Sequence, residues 1–309
     1  MRDELAAVAH LKALFAGTKT TTPNEEVGIG DDCATITSAE GTLVWTIDEQ
    51  VENTHFRPDW LSWKDVGWRS FVAAASDIAA MGGRATHALT ALGLPKDFDD
   101  AAFVALAEGQ AEAARAVGAT IVGGNLARAS EAHVTTTVFG RTDRAILRSD
   151  AKVGDGIWIA GAVGLAGLGL RALEGGVTTP NVGIAIAAWR RPSPLFEAAK
   201  AMSLVASAAI DVSDGLARDA AHVAAASGVR IVFERALLHA YAERTGVTEI
   251  AKALGVDAIE AMLNGGEDYA LLVASRSEIE GLSRIGSVEE GSGLALDEVE
   301  IEAKGFAHF

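Results

Sequence analysis

Apolar residues follow two patterns along this chain, and each pattern predicts a different kind of element. Leu5, Val8, Leu11 and Phe15 are three or four positions apart, which predicts an amphipathic helix over residues 4–15. Short runs of β-branched and other apolar residues predict strands instead. These runs lie at residues 43–47, 88–94, 119–122, 134–140, 157–160, 229–233 and 269–273.

Longer segments that mix apolar and polar residues separate these runs and predict helices. They cover residues 64–81, 99–117, 195–207 and 216–226, and residues 161–170 lead into one more helix. Gly82 and Gly83 end the first of these helices. The alternation of strands and helices predicts an α/β or α+β fold. We expect two domains, residues 1–145 and residues 146–309.

Composition is that of an ordinary folded protein, with 49% hydrophobic and 22% charged residues. The 309 residues suffice for one large or two medium domains. No run approaches the roughly 18 apolar residues of a membrane span, and the acidic start differs from a signal peptide. Cys33 is the single cysteine, so an intrachain disulfide is excluded. We therefore expect a cytoplasmic protein.

The formal net charge of −16 changes which partners we expect. It disfavours nonspecific binding to nucleic acid or to an anionic membrane, because both carry the same sign of charge. A phosphorylated substrate would meet the same repulsion. Divalent cations held by carboxylates overcome it locally, because they also bind phosphate oxygens.

Acidic residues recur beside glycines near the predicted ends of elements. The set is Asp31, Asp32, Asp48, Asp77, Asp211, Asp214, Glu267 and Asp268. Mg²⁺ takes oxygen ligands and is usually held by a few carboxylates together with substrate phosphates. Neighbouring glycines let the backbone approach a phosphate and donate N–H groups. The pattern therefore predicts a site for metal and phosphate.

Each motif also has a purely structural interpretation. Gly-Asp-Asp is a common turn, and Ser213 or Asp214 before a helix is typical of an N-cap. Asp77 is harder to explain structurally, because it lies in a largely apolar segment and a buried carboxylate needs a partner such as a metal. Cys33 is interpreted as a small buried residue rather than a nucleophile.

Two further residues have open assignments at this point. His55 follows Asp48 by seven positions and is either a substrate contact or a packed side chain. Arg148, near the expected domain boundary, is either a phosphate clamp or a surface arginine. The phosphate-binding pattern G-x-x-x-x-G-K-[ST] does not occur, and the glycines at 161–167 depart from the dinucleotide-binding spacing.

Nine motifs occur in a recognisable order. They are Gly-Ile-Gly-Asp-Asp-Cys-Ala (28–34), the segment 48–56, Ser-Asp-Ile-Ala-Ala-Met-Gly (76–82), Gly-Gly (123–124), Leu-Arg-Ser-Asp-Ala-Lys-Val-Gly-Asp (147–155), Arg-Pro-Ser-Pro (191–194), Ile-Asp-Val-Ser-Asp-Gly-Leu (210–216), Gly-Gly-Glu-Asp-Tyr (265–269) and Gly-Phe-Ala-His-Phe (305–309). From about residue 26 onward the chain resembles thiamine-monophosphate kinases, within the superfamily that includes aminoimidazole ribonucleotide synthetase.

The resemblance implies a two-domain aminoimidazole ribonucleotide synthetase-like fold and a homodimer whose N-terminal sheets form a shared barrel. It implies transfer of the γ-phosphoryl group of ATP to thiamine monophosphate, with several Mg²⁺ ions along the phosphates. Such a transfer depends on positioning and charge neutralisation. The attacking phosphate oxygen is already largely ionised, so no acid, base or nucleophile is assigned.

The resemblance also implies roles for individual residues. The metal ligands would be Asp32, Thr46, Asp48, Asp77, Asn125, Asp211 and Asp214. ATP would contact Gly123, Gly124, Arg148 and Ser213. Thiamine monophosphate would contact His55, Glu267 and Phe306, with the ring of Phe306 stacked on the substrate.

Several positions depart from the family pattern. Asn125 replaces an aspartate and still offers a carbonyl oxygen but no charge, and Leu126 replaces a threonine. Ile47 also replaces a threonine, and residues 49–50 are Glu-Gln where Thr-Leu is more typical. These changes concern the number of metal ions and the rate more than the fold.

Rival functions remain. Aminoimidazole ribonucleotide synthetase fits the terminal Gly-Phe-Ala-His-Phe poorly, a selenophosphate synthetase requires a reactive residue missing here, and the hydrogenase-maturation relative requires a C-terminal cysteine. A non-catalytic thiamine-phosphate-binding protein, degenerate at Asn125, is the rival from another class.

Overall fold

The computed structural model describes residue 13, residues 26–27, residues 31–38 and residues 41–306. The helix predicted over residues 4–15 lies outside the described residues, except for Ala13, which is helical. The described residues form two β-sheets, and helices pack against both.

The first sheet contains six strands, and four of the predicted runs lie in it. The strands are β1 (Glu26–Val27), β2 (Ala34–Ser38), β3 (Gly41–Val51), β4 (Arg84–Leu94), β5 (Thr120–Arg128) and β6 (His133–Thr142). Their order is β1-β2-β3-β6-β4-β5. Neighbours are antiparallel except for β4 and β5, which are parallel.

Two strands continue beyond the ends that the sequence predicts. β3 passes through Asp48 because its pairing with β6 extends to Val51. β5 passes through Gly123 and Gly124, where glycine allows close approach to β4. A Cβ atom on Gly124 would lie 1.7 Å from the carbonyl oxygen of Thr90, so a larger residue there would force the strands apart.

Helices α1 (Trp63–Ala80) and α2 (Asp100–Ala116) cover one face of this sheet, as predicted. Ser62 and Asp65 form a capping box at the start of α1. Gly67 and Gly109 let the two helices touch, since a Cβ atom on either would lie 2.0 Å from a carbonyl oxygen of the other helix.

The opposite face of the first sheet carries exposed apolar side chains. Ile47 is 67% exposed, and Leu89 and Phe139 are 40% and 37% exposed. Strand pairing places the three on one face, because Ile47 and Leu89 both pair with Thr137, two positions from Phe139 on β6. Among the described residues, only the helical side of this sheet is therefore covered.

The second sheet contains seven strands. They are β7 (Gly156–Ala160), β8 (Ala208–Val212), β9 (Arg230–Phe233), β10 (Ala270–Ser275), β11 (Ser283–Glu289), β12 (Gly293–Leu296) and β13 (Val299–Ile301). Their order is β13-β12-β9-β11-β7-β10-β8, and only β9 and β12 are parallel. The runs predicted at 157–160, 229–233 and 269–273 correspond to β7, β9 and β10.

Seven helices accompany the second sheet among the described residues. They are α3 (Leu165–Glu174), α4 (Pro180–Arg190), α5 (Phe196–Met202), α6 (Leu216–Ser227), α7 (Arg235–Thr245), α8 (Val247–Ala253) and α9 (Ala258–Asn264). The helix predicted over 195–207 ends earlier, at Met202, and by Ser207 the backbone already donates to Ala274 of the second sheet at 2.8 Å.

Helix α1 also joins the two halves of the chain. Ala79 and Ala80 at its end pack with Leu271 and Val273 of the second sheet. The strands up to Thr142 form one sheet and those from Gly156 form the other, and the domain boundary near residue 145 stays a prediction. Within the described part of the chain, no helix has the length and apolar character needed to cross a membrane.

Candidate functional site

A cleft of about 1050 Å³ lies where α1 meets the second sheet. Both halves of the chain contribute to its wall, so distant predicted site residues meet there. The predicted site residues that line it are Asp48, His55, Asp77, Asp211, Ser213, Asp214, Glu267 and Phe306. A cleft of this size accommodates two small substrates together.

Three carboxylates converge at one end of the cleft. Asp32 precedes β2, Asp77 lies on α1 and Asp211 lies on β8. Each offers an oxygen atom, and these atoms lie within 4.8 Å of one another. Asp211 is thus inside a strand rather than in the predicted turn. The structure brings together acids that are far apart in the sequence.

The negative charges of this acid cluster (Asp32, Asp77 and Asp211) repel one another. Burial raises the pKa of Asp32 to about 7 and that of Asp211 to about 6. The pKa of Asp77 lies well above its ordinary value, first because of burial and then because of the charges of Asp211 and Asp32. Without a cation, the ionised cluster is therefore unfavourable.

Two hydroxyl groups orient the cluster. The hydroxyl of Thr46 on β3 donates to Asp77, and that of Ser76 on α1 donates to Asp211, both at 2.5 Å. Asp48 lies two residues beyond Thr46 on the same face of β3. Burial raises the pKa of Asp48 to about 6, and its charge acts on both Asp77 and Asp211.

Arg148 contacts the acid cluster through Asp32, and neither of these two residues lines the cleft. Its guanidinium group forms an ion pair with Asp32, and its backbone N–H donates to Asp31 at 3.2 Å. Buried atoms remain unsatisfied here, because neither Asp32 Oδ2 nor Arg148 Nε has a hydrogen-bond partner. An all-oxygen donor set with a buried, unsatisfied carboxylate oxygen fits a hard cation such as Mg²⁺.

The Ser213–Asp214 turn is held by a residue that the sequence analysis did not consider. Asp219, in the first turn of α6, accepts the backbone N–H groups of Asp214 and Gly215 at 3.1 Å each. The N-cap position belongs to Gly215 without a side-chain bond, so neither Ser213 nor Asp214 acts as the cap. The Asp214 carboxylate instead lies 3.4 Å from Arg218 Nε.

Phe306 is attached to this turn. Its backbone N–H donates to the carbonyl oxygen of Asp214 at 3.0 Å, and its own carbonyl accepts from Arg218. Gly305 makes this possible, because a Cβ atom there would lie 2.5 Å from the same Asp214 oxygen. The half-exposed ring of Phe306 thus borders the cleft from the C-terminal tail.

The cleft also contains Glu267, which belongs to a buried polar network. Arg69 of α1 forms an ion pair with one oxygen of Glu267, and Trp189 Nε1 donates to the other at 2.5 Å. His55 lines the same cleft and accepts the N–H of Val51 through Nδ1 at 3.0 Å. When this imidazole is neutral, its proton is therefore on Nε2.

Three predicted site residues lie elsewhere. Gly123, Gly124 and Asn125 are exposed on β5, and β6 and β4 separate that strand from β3. Three strand spacings correspond to about 14 Å. Within one chain, Asn125 is thus not part of the acid cluster, and the three residues do not line the cleft.

Sequence reasoning missed four residues that build the site: Arg69, Trp189, Asp219 and the supporting role of Asp268. Asp268 accepts the N–H groups of Gly164 and Ala166 at 2.7 and 2.9 Å, which fixes the loop containing Glu267 to the start of α3. Burial raises its pKa to about 7. Arg69 carried a usable signal, since an arginine in the apolar helix at 64–81 raises the same question as Asp77.

The sequence of this chain is similar to those of several known proteins. Residues 30–142 match the family described as AIR synthase related protein, N-terminal domain. Thiamine-monophosphate kinase of Mycobacterium tuberculosis is 38% identical over 289 residues, covering 91% of this chain and 84% of that protein. The enzyme of that name from Aquifex aeolicus is 32% identical, covering 91% and 92%.

A solved structure of a similar protein has the same fold. AaThiL in complex with AMPPCP and TMP superposes with a TM-score of 0.90 at 29% identity, covering 100% of this chain and 99% of that one. The predicted α/β (α+β) fold, similar to aminoimidazole ribonucleotide synthetase, is confirmed, and it contains two sheets.

Proposed function

We infer the reaction from membership: the chain belongs to the thiamine-monophosphate kinase family, and it phosphorylates thiamine monophosphate with ATP to give thiamine diphosphate and ADP. The observation that carries this proposal is the acid cluster, which Arg148 contacts and two of whose members, Asp77 and Asp211, line a cleft of about 1050 Å³. Phosphoryl transfer needs charge neutralisation and alignment more than a chemical group from the protein.

Mg²⁺ held in this cleft would supply positive charge that neutralises the charge developing on the phosphate oxygens. Asp32, Asp77 and Asp211 are the proposed ligands at the centre, because their oxygen atoms already converge. Asp48 and Asp214 line the same cleft and complete the proposed carboxylate set. Thr46 supports the set through its bond to Asp77 as well as being a proposed ligand.

Arg148 is proposed to hold the ATP phosphates. Its Nε group is buried without a hydrogen-bond partner, and its charge is compensated by Asp32 and, more weakly, by Asp31. A phosphate oxygen would satisfy this donor in a charge-assisted hydrogen bond. Ser213 lines the cleft and lies between Asp211 and Asp214 in the chain, and we propose that it contacts ATP as well.

The part of the cleft lined by Glu267, His55 and Phe306 is proposed to bind the organic part of thiamine monophosphate. Glu267 supplies a carboxylate, and the Phe306 ring offers an apolar surface for stacking. His55 offers a ring nitrogen. This arrangement suits a cationic aromatic substrate whose phosphate points toward the acid cluster.

We further propose a homodimer formed through the exposed face of the first sheet. Ile47, Leu89 and Phe139 supply an apolar surface that a second copy would bury. In such a dimer, Gly123, Gly124 and Asn125 of β5 would lie near the cleft of the other copy. In their own chain they do not line the cleft. A cytoplasmic location accords with the single cysteine.

The direct test is incubation of the pure protein with ATP, Mg²⁺ and thiamine monophosphate. We expect thiamine diphosphate and ADP in equal amounts, separated by chromatography, and no product after chelation with EDTA. Thiamine without a phosphate serves as the control acceptor and should give none. Binding of thiamine monophosphate without product would instead favour a non-catalytic binding protein.

A further inference from the structure

Arg69 is a deeply buried charge that contacts Glu267 in the lining of the cleft. It projects from α1 with 1% of its side chain exposed. A buried guanidinium group is unfavourable unless its charge and its N–H groups are both satisfied. Its partners therefore show which part of the molecule depends on it.

The donors of Arg69 reach three separate segments of the chain. Nε donates to the Gln50 side chain of β3 at 3.3 Å, and the two terminal nitrogens donate to the backbone carbonyl of Trp189 and to the Glu267 carboxylate. The guanidinium group also lies 4.8 Å from the centre of the Trp189 ring. One side chain thus connects β3, α4 and the loop before β10.

Glu267 receives most of its orientation from these contacts. Arg69 holds one carboxylate oxygen and the Trp189 indole holds the other. Its backbone is in the left-handed region, with φ of 67°, and its N–H donates to Ser213 at 2.6 Å. A glutamate rarely adopts this conformation unless its surroundings fix it. The side chain remains 23% exposed, toward the cleft.

Gln50 supplies this network with a buried acceptor. The carboxamide oxygen of Gln50 accepts from Arg69 Nε. An apolar residue at this position would leave Arg69 Nε without that acceptor, deep in the protein. Gln50 thus belongs to the support of Arg69.

We propose that Arg69 is a positioning residue for acceptor recognition, which fixes the Glu267 carboxylate toward the organic part of the acceptor. This rests on the proposed function, because Glu267 is taken as the thiamine-monophosphate contact. Arg69 itself does not touch the substrate. Its effect passes through Glu267. Gln50 accepts from the guanidinium group, and Trp189 contacts both the guanidinium group and the carboxylate, which fixes their relative positions.

A double-mutant cycle tests this coupling. Arg69→Gln and Glu267→Gln should each lower kcat/KM for thiamine monophosphate by about 100-fold. The double variant should be within about threefold of Glu267→Gln alone, because removing the support of an absent carboxylate has no further effect. Independent contributions would instead multiply to about 10,000-fold, and that outcome would overturn the proposal.

Further readouts separate positioning from a general structural role. KM for ATP and the Mg²⁺ titration should change less than about threefold. Because the charge of Asp48 also acts on Arg69, a large shift in the Mg²⁺ titration would show that Arg69 serves the metal end, which contradicts the proposal. Arg69→Lys should recover about tenfold of the loss, since it restores charge but not the planar fork.

Matched controls keep the test decisive. Arg284 and Glu234 form a surface ion pair at 3.2 Å outside the cleft, and Arg284→Gln should leave all kinetic parameters unchanged. If Arg69→Gln does not fold, the double variant, which leaves no unpaired charge, is compared with Glu267→Gln and decides the question. An inactive wild-type protein would remove the proposed function and this inference together, whereas an active one with an additive cycle removes this inference alone.

Discussion

Ser76 and Asp211 lie 135 residues apart, and the hydroxyl of the first donates to the carboxylate of the second at 2.5 Å. One residue belongs to α1 and the other to β8 of the second sheet. Thr46 orients Asp77 in the same way from the first sheet. The acid cluster therefore forms only where the two halves of the chain pack together, and its oxygen atoms are oriented before a cation binds.

Replacing one acid of the cluster should lower activity and raise the stability of the metal-free protein. Asp77→Asn should lower turnover by more than about 1000-fold, because a residue that we propose as a central metal ligand loses its charge. The same change should raise the melting temperature of the metal-free protein at pH 8 by about 2–4 °C for each kcal/mol of relieved repulsion. Thermal unfolding in EDTA and steady-state kinetics measure the two effects.

The control for this variant is Asp297→Asn, since Asp297 lies in an exposed pair with Arg235 at 3.5 Å. It should alter neither property. Near-normal turnover of Asp77→Asn would remove Asp77 from the proposed ligand set.

Stabilisation by Mg²⁺ should increase with pH. Asp32 and Asp211 have pKa values raised to about 7 and about 6, whereas unfolded aspartate titrates near pH ~3.9. In the metal-free protein, their contribution to the free energy of unfolding therefore falls as pH rises from about 4 to about 7. Mg²⁺ needs the ionised carboxylates, so it binds more tightly over the upper part of this range.

Melting temperatures at pH 5.5 and pH 8, each with EDTA or with Mg²⁺, measure this linkage. The rise caused by Mg²⁺ should be several degrees larger at pH 8. Equal rises at both pH values would argue that cations bind outside the acid cluster.

A charge on the open face of the first sheet should prevent dimer formation. Ile47→Lys places an ammonium group in the proposed interface, where it would be buried without a partner. Light scattering should give the mass of a monomer for this variant and of a dimer for the wild type. Leu204→Lys is the control, because Leu204 is 89% exposed and lies between α5 and β8. A monomeric wild-type protein would contradict the proposed interface.

Asn125→Asp should lower the Mg²⁺ concentration needed for half-maximal activity, because it adds a carboxylate at a proposed ligand position. Asn125 is exposed and away from the acid cluster in its own chain. The effect should therefore disappear when Asn125→Asp is combined with Ile47→Lys. An unchanged Mg²⁺ titration in the single variant would count against Asn125 as a ligand, and an unchanged effect in the combined variant would count against a contribution across the interface.

The sequence pattern predicted those elements whose ends are set by residues close in the chain. The segment at 64–81 and the glycines that follow it predicted α1 almost to its ends. Seven of the thirteen described strands were predicted, whereas β1, β2, β8, β11, β12 and β13 were not, and the lengths of the predicted strands were not predictable. β3 extends past Asp48 because β6 continues beside it, and pairing with a distant strand leaves no mark in the local sequence.

The acids of the site were predictable one at a time, and their convergence was not. Asp77 stood out because a carboxylate in an apolar helix demands a partner. The identity of its neighbours, Asp32 and Asp211, depends on packing between distant segments, and here only the family resemblance anticipated it. Asp219 escaped notice because its role is to accept two backbone N–H groups, and such bonds are set by turn geometry.

Helix α1 carries both Arg69, which supports Glu267, and Asp77 of the acid cluster. Eight residues of α-helix correspond to about 12 Å along the axis, and Arg69 and Asp77 are held by their contacts to Glu267 and Thr46. The helix thereby sets the spacing between the support of the proposed acceptor contact and a proposed metal ligand. On the proposed function, we expect acceptors to be selected by length as well as by chemistry, because an analogue without the phosphate would reach Glu267 and not the acid cluster.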